Sequence, residues 1–330
     1  MQIVRGFLFV LALLITPVSY AQDAFDFSIS KDYMTFLATE GAAQVGIKMH
    51  FKGRTKSVHS LASDCEMHLA ADPVDMELGS PNAIVAEPPN LCKFSPPKDP
   101  KAKSWGATFD RYAMNKDCTV FGFPRIFTEH STGAETEANP NHVFEIHPAI
   151  KMECPDKTIS FETFLTIFKG MRAIKPETAR KCIEDRKLQV RYNKNKQRYE
   201  FKEGGGGTCG NFAIVEVGNV EPDWVREIPG GHTAIARVSF DGMSRTTLKL
   251  YTLAPSERDE WLVQVKNAGM GTNRIFLHGM FTYDYFSIVK TIRKDRNAPL
   301  EEFTDWRDIE FPIAFVVMGE SKVGLRDADH

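Results

Sequence analysis

The placement of six cysteines constrains this 330-residue chain more than any other feature of its sequence. The count is even, and no two cysteines have the CxxC or CxxxC spacing of a zinc ribbon or a thioredoxin-like motif. Such a set favours disulfides formed in an oxidising compartment, with free buried thiols as the alternative. The cysteines are Cys65, Cys92, Cys118, Cys154, Cys182 and Cys209.

The first 21 residues indicate export, because they have the three parts of a secretory signal peptide. Arg5 supplies the positive charge, residues 6–15 (GFLFVLALLI) form an apolar core, and Ser19-Tyr20-Ala21 places small residues at the cleavage positions. A membrane anchor is the alternative, but this apolar run is about half of a bilayer span. We therefore expect a periplasmic or secreted bacterial protein, cleaved near Ala21, with no transmembrane segment in the mature chain.

The charge balance limits the classes of partner. The formal net charge is −2, and removal of Arg5 with the leader makes it −3. This balance argues against a general nucleic-acid or membrane binder. Residues 205–210 have G-x-G-x-x-G spacing, but the apolar strand pattern FAIVEV follows them where a phosphate cradle needs a helix. We expect no nucleotide cofactor.

Alternating side chains predict a five-stranded first domain. Val45, Ile47, Met49 and Phe51 alternate with polar or small residues, which is the period of a half-buried strand. Further strands are predicted at 64–71, 83–87, 118–127 and 142–152, with no convincing helix between them. A small barrel or sandwich over residues 45–155 is the expected result.

Antiparallel pairing of neighbouring predicted strands suggests the disulfide scheme. The start of one strand then faces the end of the next, which brings Cys65 to Cys92 and Cys118 to Cys154. Cys182 and Cys209 remain as the third pair. Each bond would close a loop of roughly 27 to 37 residues, which chain-entropy models value at about 3–4 kcal/mol.

The rest of the chain divides into three further units. Residues 22–44 form an N-terminal segment. A helical connector spans 156–186, with apolar residues on one helical face at 161–171 and Pro176 beginning a second helix. Residues 187–330 show a second β-rich pattern that includes two hairpins and a helix capped by Ser256.

Four motifs of the first domain resemble a group of bacterial exported proteins: SDCEMHLA, AIVAEPPN, TVFGFPRIFTEH and NPNHVFEIHP. In that group, which is largely uncharacterised, a small barrel domain ends in a strand with an E-(I/L)-H-P signature. The resemblance covers roughly residues 45–155 and implies an OB-like barrel of five strands. Cys65 stands where the related pattern often has glycine, which fits a disulfide added to the barrel.

Two Glu-x-His pairs are the candidate metal ligands. Alternation places Glu145 and His147 on the face of their strand opposite Phe144 and Ile146, so they point outward or toward a covering element. Glu66 and His68 share a face in the same way. If the two strands are neighbours, these four groups could bind a divalent ion such as zinc. The alternative is a structural role with mutual Glu–His hydrogen bonds.

Two other segments are candidate contact surfaces. The polar loop 128–142 joins the last two predicted strands, where OB-type barrels often contact ligands. Its candidate residues are Glu129, His130, Asn139 and His142. The hairpin 186–202 interleaves basic and aromatic residues, which suits an anionic polymer or simply protects a strand edge. Its candidate residues are Arg186, Lys187, Arg191, Lys194, Lys196 and Arg198.

These patterns predict a mainly β protein with minor α, a helical connector and a second β-rich, barrel-like domain, and the resemblance implies that the first barrel is OB-like. The expected function is an exported, disulfide-braced, non-enzymatic binding protein without a cofactor. Its partner would be an unknown protein, small-molecule or polymer ligand of the cell envelope. The alternatives are a metal-dependent, nuclease-like hydrolase with zinc at the Glu-x-His pairs and, with less support, anionic-polymer binding through the basic hairpin.

Overall fold

A computed structural model describes residues 25–52, 65–133, 135–165, 173–205, 209–210, 212–242, 244–268, 274–295 and 297–321. The predicted signal peptide and most of the predicted helix over 161–171 lie outside these ranges. Among the described residues, no helix has both the length and the apolar character that a bilayer span requires.

The described residues form 17 strands and five α-helices. The strands are β1 (Phe27–Ser30), β2 (Val45–Phe51), β3 (Leu69–Pro73), β4 (Gly79–Ser80), β5 (Ile84–Ala86), β6 (Asp117–Ile126), β7 (Phe144–Cys154), β8 (Lys157–Ser160), β9 (Lys187–Asn193), β10 (Arg198–Gly204), β11 (Phe212–Val220), β12 (Arg226–Ile228), β13 (Gly231–Ser239), β14 (Thr246–Leu253), β15 (Ile275–Tyr283), β16 (Arg307–Asp308) and β17 (Ile313–Glu320). The helices are α1 (Lys31–Glu40), α2 (Trp105–Tyr112), α3 (Pro176–Glu184), α4 (Glu257–Ala268) and α5 (Tyr285–Thr291).

The first barrel consists of β2, β3, β5, β6 and β7. Neighbouring strands follow the order β2-β3-β5-β7-β6 and close back onto β2, and β5 runs parallel to β7. In β2, Val45, Ile47, Met49 and Phe51 are buried while the residues between them are more exposed, as the alternation predicts. A five-stranded closed barrel with one parallel pair and a helix, α2, before its fourth strand has the topology of an OB-fold.

The second barrel repeats that topology with β11, β13, β14, β15 and β17. The order β11-β13-β14-β17-β15 closes back onto β11, and β14 runs parallel to β17. Helix α4 precedes the fourth strand, as α2 does in the first barrel. Its N-terminus is capped by Ser256, whose Oγ accepts a hydrogen bond from the backbone N–H of Asp259 at 3.1 Å. The predicted mainly β, two-barrel fold class is confirmed.

The basic hairpin lies in a third sheet rather than in the wall of the second barrel. Strands β9 and β10 pair with each other, β10 pairs with β1, and the sheet order is β16-β9-β10-β1-β4. Phe27 stacks on Phe201 at 4.7 Å and on Tyr283 of the second barrel at 5.6 Å. One continuous hydrophobic core therefore runs through this sheet and both barrels.

Three disulfides brace the fold and join the pairs that the strand pattern predicts. They are Cys65–Cys92, Cys118–Cys154 and Cys182–Cys209, and no cysteine is left free. The second links the beginning of β6 to the end of β7 inside the first barrel. The third links α3 to residue 209, in the segment between β10 and β11. Each bond thus joins segments that are close in space and 27 to 36 residues apart in sequence.

Candidate functional site

The two Glu-x-His pairs come together on the outer face of the first barrel. Glu66 and His68 precede β3, and Glu145 and His147 lie in β7. Strand β5 lies between β3 and β7, and the residue after it, Glu87, joins the same group through a backbone bond to Ile146 O. The alternation of side chains correctly predicted that the members of each Glu-x-His pair lie on one face of the barrel. The order of the strands β3, β5 and β7 brings the two pairs close together.

His147 is the centre of this ion cluster. Its Nε2 lies 2.8 Å from Glu66 Oε1, and its Nδ1 lies 2.9 Å from Glu87 Oε2 and 3.3 Å from Glu145 Oε2. When protonated, the imidazolium donates from both nitrogens, so each N–H points at a carboxylate. The ring is thereby held between three acidic side chains.

Arg125 supplies the second cation of the cluster, and the sequence analysis did not identify it. Its Nη1 donates to Glu145 Oε2 at 2.6 Å, its Nη2 lies 3.2 Å from Glu129 Oε2, and its Nε donates to the carbonyl oxygen of Phe281 at 2.8 Å. Phe281 belongs to β15, so this arginine joins the two barrels. The sequence feature that could have identified Arg125 is its position as a charged residue inside the apolar run FGFPRIF. A charged side chain in such a strand is rarely buried without a partner, so a buried ion pair could have been predicted.

Three further histidines surround these ion pairs. His142 Nε2 lies 3.3 Å from Glu145 Oε1, and its Nδ1 is 2.7 Å from the carbonyl oxygen of Pro140. Its ring stacks on His130 at 5.1 Å. On the other side, His68 Nε2 lies 3.4 Å from Glu87 Oε1. The loop residues Glu129, His130 and His142 are thus drawn into the cluster, whereas Asn139 pairs with Thr136 through their backbones.

Opposite charges set the protonation states. Burial acts to raise the pKa of Glu87, but the adjacent His68 and His147 outweigh it and lower that pKa to about 2. Burial has the same effect on Glu145, yet Arg125 and the imidazole hydrogen bonds hold its pKa well below the usual range. For His147 burial lowers the pKa, and the carboxylates of Glu66 and Glu87 raise it well above the ordinary value. Glu87 and Glu145 are therefore ionised and His147 is protonated at neutral pH, whereas burial raises the pKa of Glu129.

The cluster is sealed from solvent. Arg125, His142, Glu145 and His147 have 0% exposed surface, because residues of the second barrel cover them; the Phe212 ring, for example, packs edge-on against His147 at 6.0 Å. Two donor sets, Glu66–Glu87–His147 and Glu87–His142–Glu145, have ligand atoms within 4.8 Å of one another. A divalent ion would have to displace the protons of His147 and sit beside Arg125. This arrangement suits a structural ion network better than an open catalytic metal site.

The basic hairpin is largely neutralised by acidic neighbours. Arg186 bonds to Glu203 at 3.0 Å, Arg191 bonds to Glu200 at 2.9 Å, and Arg198 pairs with Glu77. Of the candidate basic residues, Lys187, Lys194 and Lys196 are the exposed ones. Three separated lysines make a weak attraction for a polyanion, because affinity for such polymers grows with the number of charges neutralised.

The largely apolar cavity of the second barrel was not identified from sequence. It encloses about 500 Å³ on the outer face of β13 and β14, with walls from the loop before β13 and the loop between β15 and β17. These are the surfaces with which OB-folds hold ligands. The first wall carries Trp224, which is 50% exposed, and the second carries Phe311, which is 76% exposed. The available signal was an aromatic residue in each of two polar connecting segments, EPDWVRE and EFP.

A second cavity extends this site. It measures about 620 Å³ and shares Ile183, Thr247, Phe311 and Pro312 with the first. Phe311 therefore lines both of these adjacent cavities. The two cavities together are here called the barrel-two groove.

Comparisons with known proteins add no relative: no family model, curated protein or solved structure matches this chain.

Proposed function

We propose that this chain is an exported, disulfide-braced binding protein that takes its ligand in the barrel-two groove. The observation that carries the proposal is the placement of exposed apolar side chains. Among the described residues three large hydrophobic side chains are strongly exposed, and two of them, Trp224 and Phe311, line the same cavity. The third, Val74, lies in the first barrel. Exposed apolar groups gathered at a preformed cavity are typical of a ligand site.

The backbone of Phe311 supports this role. Its φ is +51°, a left-handed conformation that a bulky residue rarely adopts, and Pro312 follows it. A residue before proline favours extended backbone, so the conformation is unfavourable for two reasons. Sparsely populated conformations cluster at ligand clamps and active sites. The unfavourable backbone here holds an exposed aromatic ring at the lining of a cavity, which supports a role for Phe311 in contacting a ligand.

Export is supported by the three disulfides and by the signal-like first 21 residues. Disulfides persist in the periplasm and outside the cell. The EIHP strand adds the resemblance to bacterial exported proteins. We propose a periplasmic or secreted location on these grounds.

A neutral fluorescent dye, N-phenyl-1-naphthylamine, tests the site without assuming a ligand charge. Dye fluorescence should rise to saturation with one site per chain of the oxidised protein. Losing the buried contact of one large aromatic ring is worth about 1.5–3 kcal/mol, so Trp224→Ala and Phe311→Ala should each weaken binding by roughly ten- to a hundredfold. The matched control Val74→Ala should leave the affinity unchanged. Equal affinity in all four proteins, or no saturable binding, would refute the proposal.

The metal-dependent hydrolase is the second candidate, because two sets of three buried donors lie close enough to share an ion. Its support is weaker, since Arg125 already neutralises Glu145 and the side chains are sealed from substrate. Metal content of the oxidised protein, measured beside Glu145→Ala/His147→Ala, separates the two. We expect no stoichiometric zinc. Stoichiometric zinc in the parent protein that is lost in the double variant would favour the hydrolase.

A further inference from the structure

The charged groups of the first cavity of the barrel-two groove are mainly cationic. The residues around the first cavity include two cations, Arg226 and Lys249, and one carboxylate, Asp284, so its lining has a net charge of +1. The carboxylate is already used, because Asp284 accepts hydrogen bonds from Lys249 Nζ at 2.8 Å, Ser287 Oγ at 2.6 Å and the Tyr251 hydroxyl. Asp284 is also almost fully buried. A ligand therefore meets positive charge that the protein does not fully neutralise.

The ammonium of Lys249 is positioned for such a ligand. It lies over the Phe286 ring at 4.8 Å and bonds to Asp284, while its side chain remains 22% exposed. A lysine ammonium has three donors. One is directed to Asp284, and the aromatic face restricts the motion of the long side chain. The group is thus held at the cavity with donor capacity left over.

Strand register places the two cations on the same face of the sheet. Ile235 of β13 pairs directly with Lys249 of β14, and Thr233, two residues earlier, pairs with Arg226 of β12. Two strand spacings across the sheet and two residues along it separate the backbones of Arg226 and Lys249 by roughly 12 Å. Two long side chains can reach one small anion across that distance.

The rest of the lining is mostly apolar, apart from the hydroxyls of Thr233, Thr247 and Ser287. Ile183, Ile235, Ile313 and Pro312 line the cavity together with the two exposed aromatic rings. The neighbouring second cavity adds four charged residues, Glu184, Arg186, Lys187 and Asp308, so a hydrocarbon chain fits the first cavity better. A polyanion would need more cations than this lining provides. A neutral polar ligand would leave most of its hydrogen-bonding groups against apolar wall, which is costly.

We infer that the groove binds an apolar monocarboxylate, a hydrocarbon chain that carries one carboxylate, such as a medium- or long-chain fatty acid. The inference rests on the proposed binding function. The carboxylate lies at Lys249 and Arg226, and the chain lies along Ile235 and Ile313 toward Phe311. The net charge of +1 in the first cavity matches one carboxylate, and the apolar side chains of that cavity match a hydrocarbon chain.

Paired ligands of equal length test the charge. Decanoate and decan-1-ol are titrated into the oxidised full chain at pH 7.5, and each is scored by displacement of N-phenyl-1-naphthylamine. A charge-assisted hydrogen bond in a partly desolvated site is worth roughly tenfold or more in affinity. We expect decanoate to bind at least about tenfold more tightly than the alcohol. In Arg226→Met and Lys249→Met that ratio should fall toward one, because methionine keeps the apolar stem without the charge.

Matched variants keep the result interpretable. Lys249→Met leaves the Asp284 carboxylate without its cation and can destabilise the fold, so Arg226→Met, at an exposed position, is the second test. Lys249→Arg should preserve the preference for decanoate. Lys98→Met, at an exposed lysine remote in sequence from the groove, is the control and should bind both ligands like the parent.

The outcomes separate this inference from the proposed function. Equal binding of acid and alcohol, with both weakened by Phe311→Ala, would overturn the carboxylate inference while the binding site stands. Tighter binding of a short peptide with a C-terminal leucine than of decanoate would also overturn it, in favour of a peptide terminus. If the dye and both ligands fail to bind, the proposed function fails as well.

Discussion

Arg125 should be the most damaging single charge to remove from the ion cluster. Its guanidinium is completely buried and bonds to Glu145, Glu129 and the carbonyl oxygen of Phe281. In Arg125→Met the hydrocarbon stem stays, but Glu145 loses its 2.6 Å partner and the carbonyl oxygen loses its donor. Breaking a buried ion pair on one side costs about 3–5 kcal/mol, and one lost hydrogen bond adds about 1 kcal/mol. We therefore expect the free energy of unfolding to fall by about 4–6 kcal/mol, comparable to the whole stability of a marginal domain.

Urea unfolding of the oxidised protein, followed by circular dichroism, measures this loss. The matched control is Arg111→Met, whose arginine pairs with Asp99 at 3.0 Å on the surface and should contribute little. Arg125→Met/Glu145→Gln removes both charges and should be less destabilised than Arg125→Met alone, because no buried carboxylate is then left at position 145. If Arg125→Met costs no more than Arg111→Met, the cluster does not stabilise the contact between the barrels and the reasoning is refuted.

The titrating groups and one disulfide give three more expectations, each measured by urea unfolding. The pKa of His147 is raised in the folded protein, so protonated His147 stabilises the fold fully below about pH 6.5. This stabilisation is lost as the pH rises through the folded-state pKa. A parent protein that is equally stable at pH 6.5 and 9 would contradict this expectation. Burial lowers the pKa of His278 to about 4. The free energy of unfolding should therefore decrease as the pH falls from about 6.5 to 4, because the unfolded chain binds a proton at His278 that the folded protein does not. His278→Phe should reduce the slope of stability against pH in this range. An unchanged slope would exclude His278 as its source. Cys118→Ala/Cys154→Ala opens a loop of 36 residues and should lower the free energy of unfolding by about 3–4 kcal/mol, and an unchanged urea midpoint would contradict the bracing role.

Local sequence patterns were sufficient to predict the strands of the first barrel and the disulfide pairs. The alternation at Val45, Ile47, Met49 and Phe51 depends only on which side of one strand faces the core, and that is a property of neighbouring residues. Two of the cysteine pairs followed from antiparallel neighbours in sequence, and the third, Cys182–Cys209, followed by elimination. The pairing of β1 with β10 could not be found in this way, because Phe27 and Phe201 are far apart in sequence and no local signal specifies such a partner.

The burial of the ion cluster, like the pairing of β1 with β10, could not be predicted from local sequence patterns. Alternation correctly separated Glu145 and His147 from Phe144 and Ile146, but it cannot tell whether the other face meets water or a second domain. Both faces of β7 are buried here because residues of the second barrel cover the outer one. The same polar side chains that would suit a solvent-exposed catalytic site become a buried ion network once that cover is in place.

The two barrels have the same topology but use the corresponding outer face differently. In the first barrel Glu66 lies before β3, Glu87 follows β5 and His142 lies in the loop before β7, and these side chains fill the face with charge beneath the second barrel. In the second barrel the matching strands are β13 and β14, and there the face stays open as a cavity. Within the described residues the first face is filled by ion pairs and the second holds a cavity, so we expect a ligand of the OB-fold surface at the second face. The contact that Arg125 makes with the second barrel would then hold the face of β13 and β14 in a fixed orientation. Substitutions in the ion cluster should therefore change the stability of the protein but leave the preference for decanoate over decan-1-ol intact in the folded protein. A cluster variant that folds but loses this preference would contradict the division of roles between the two faces.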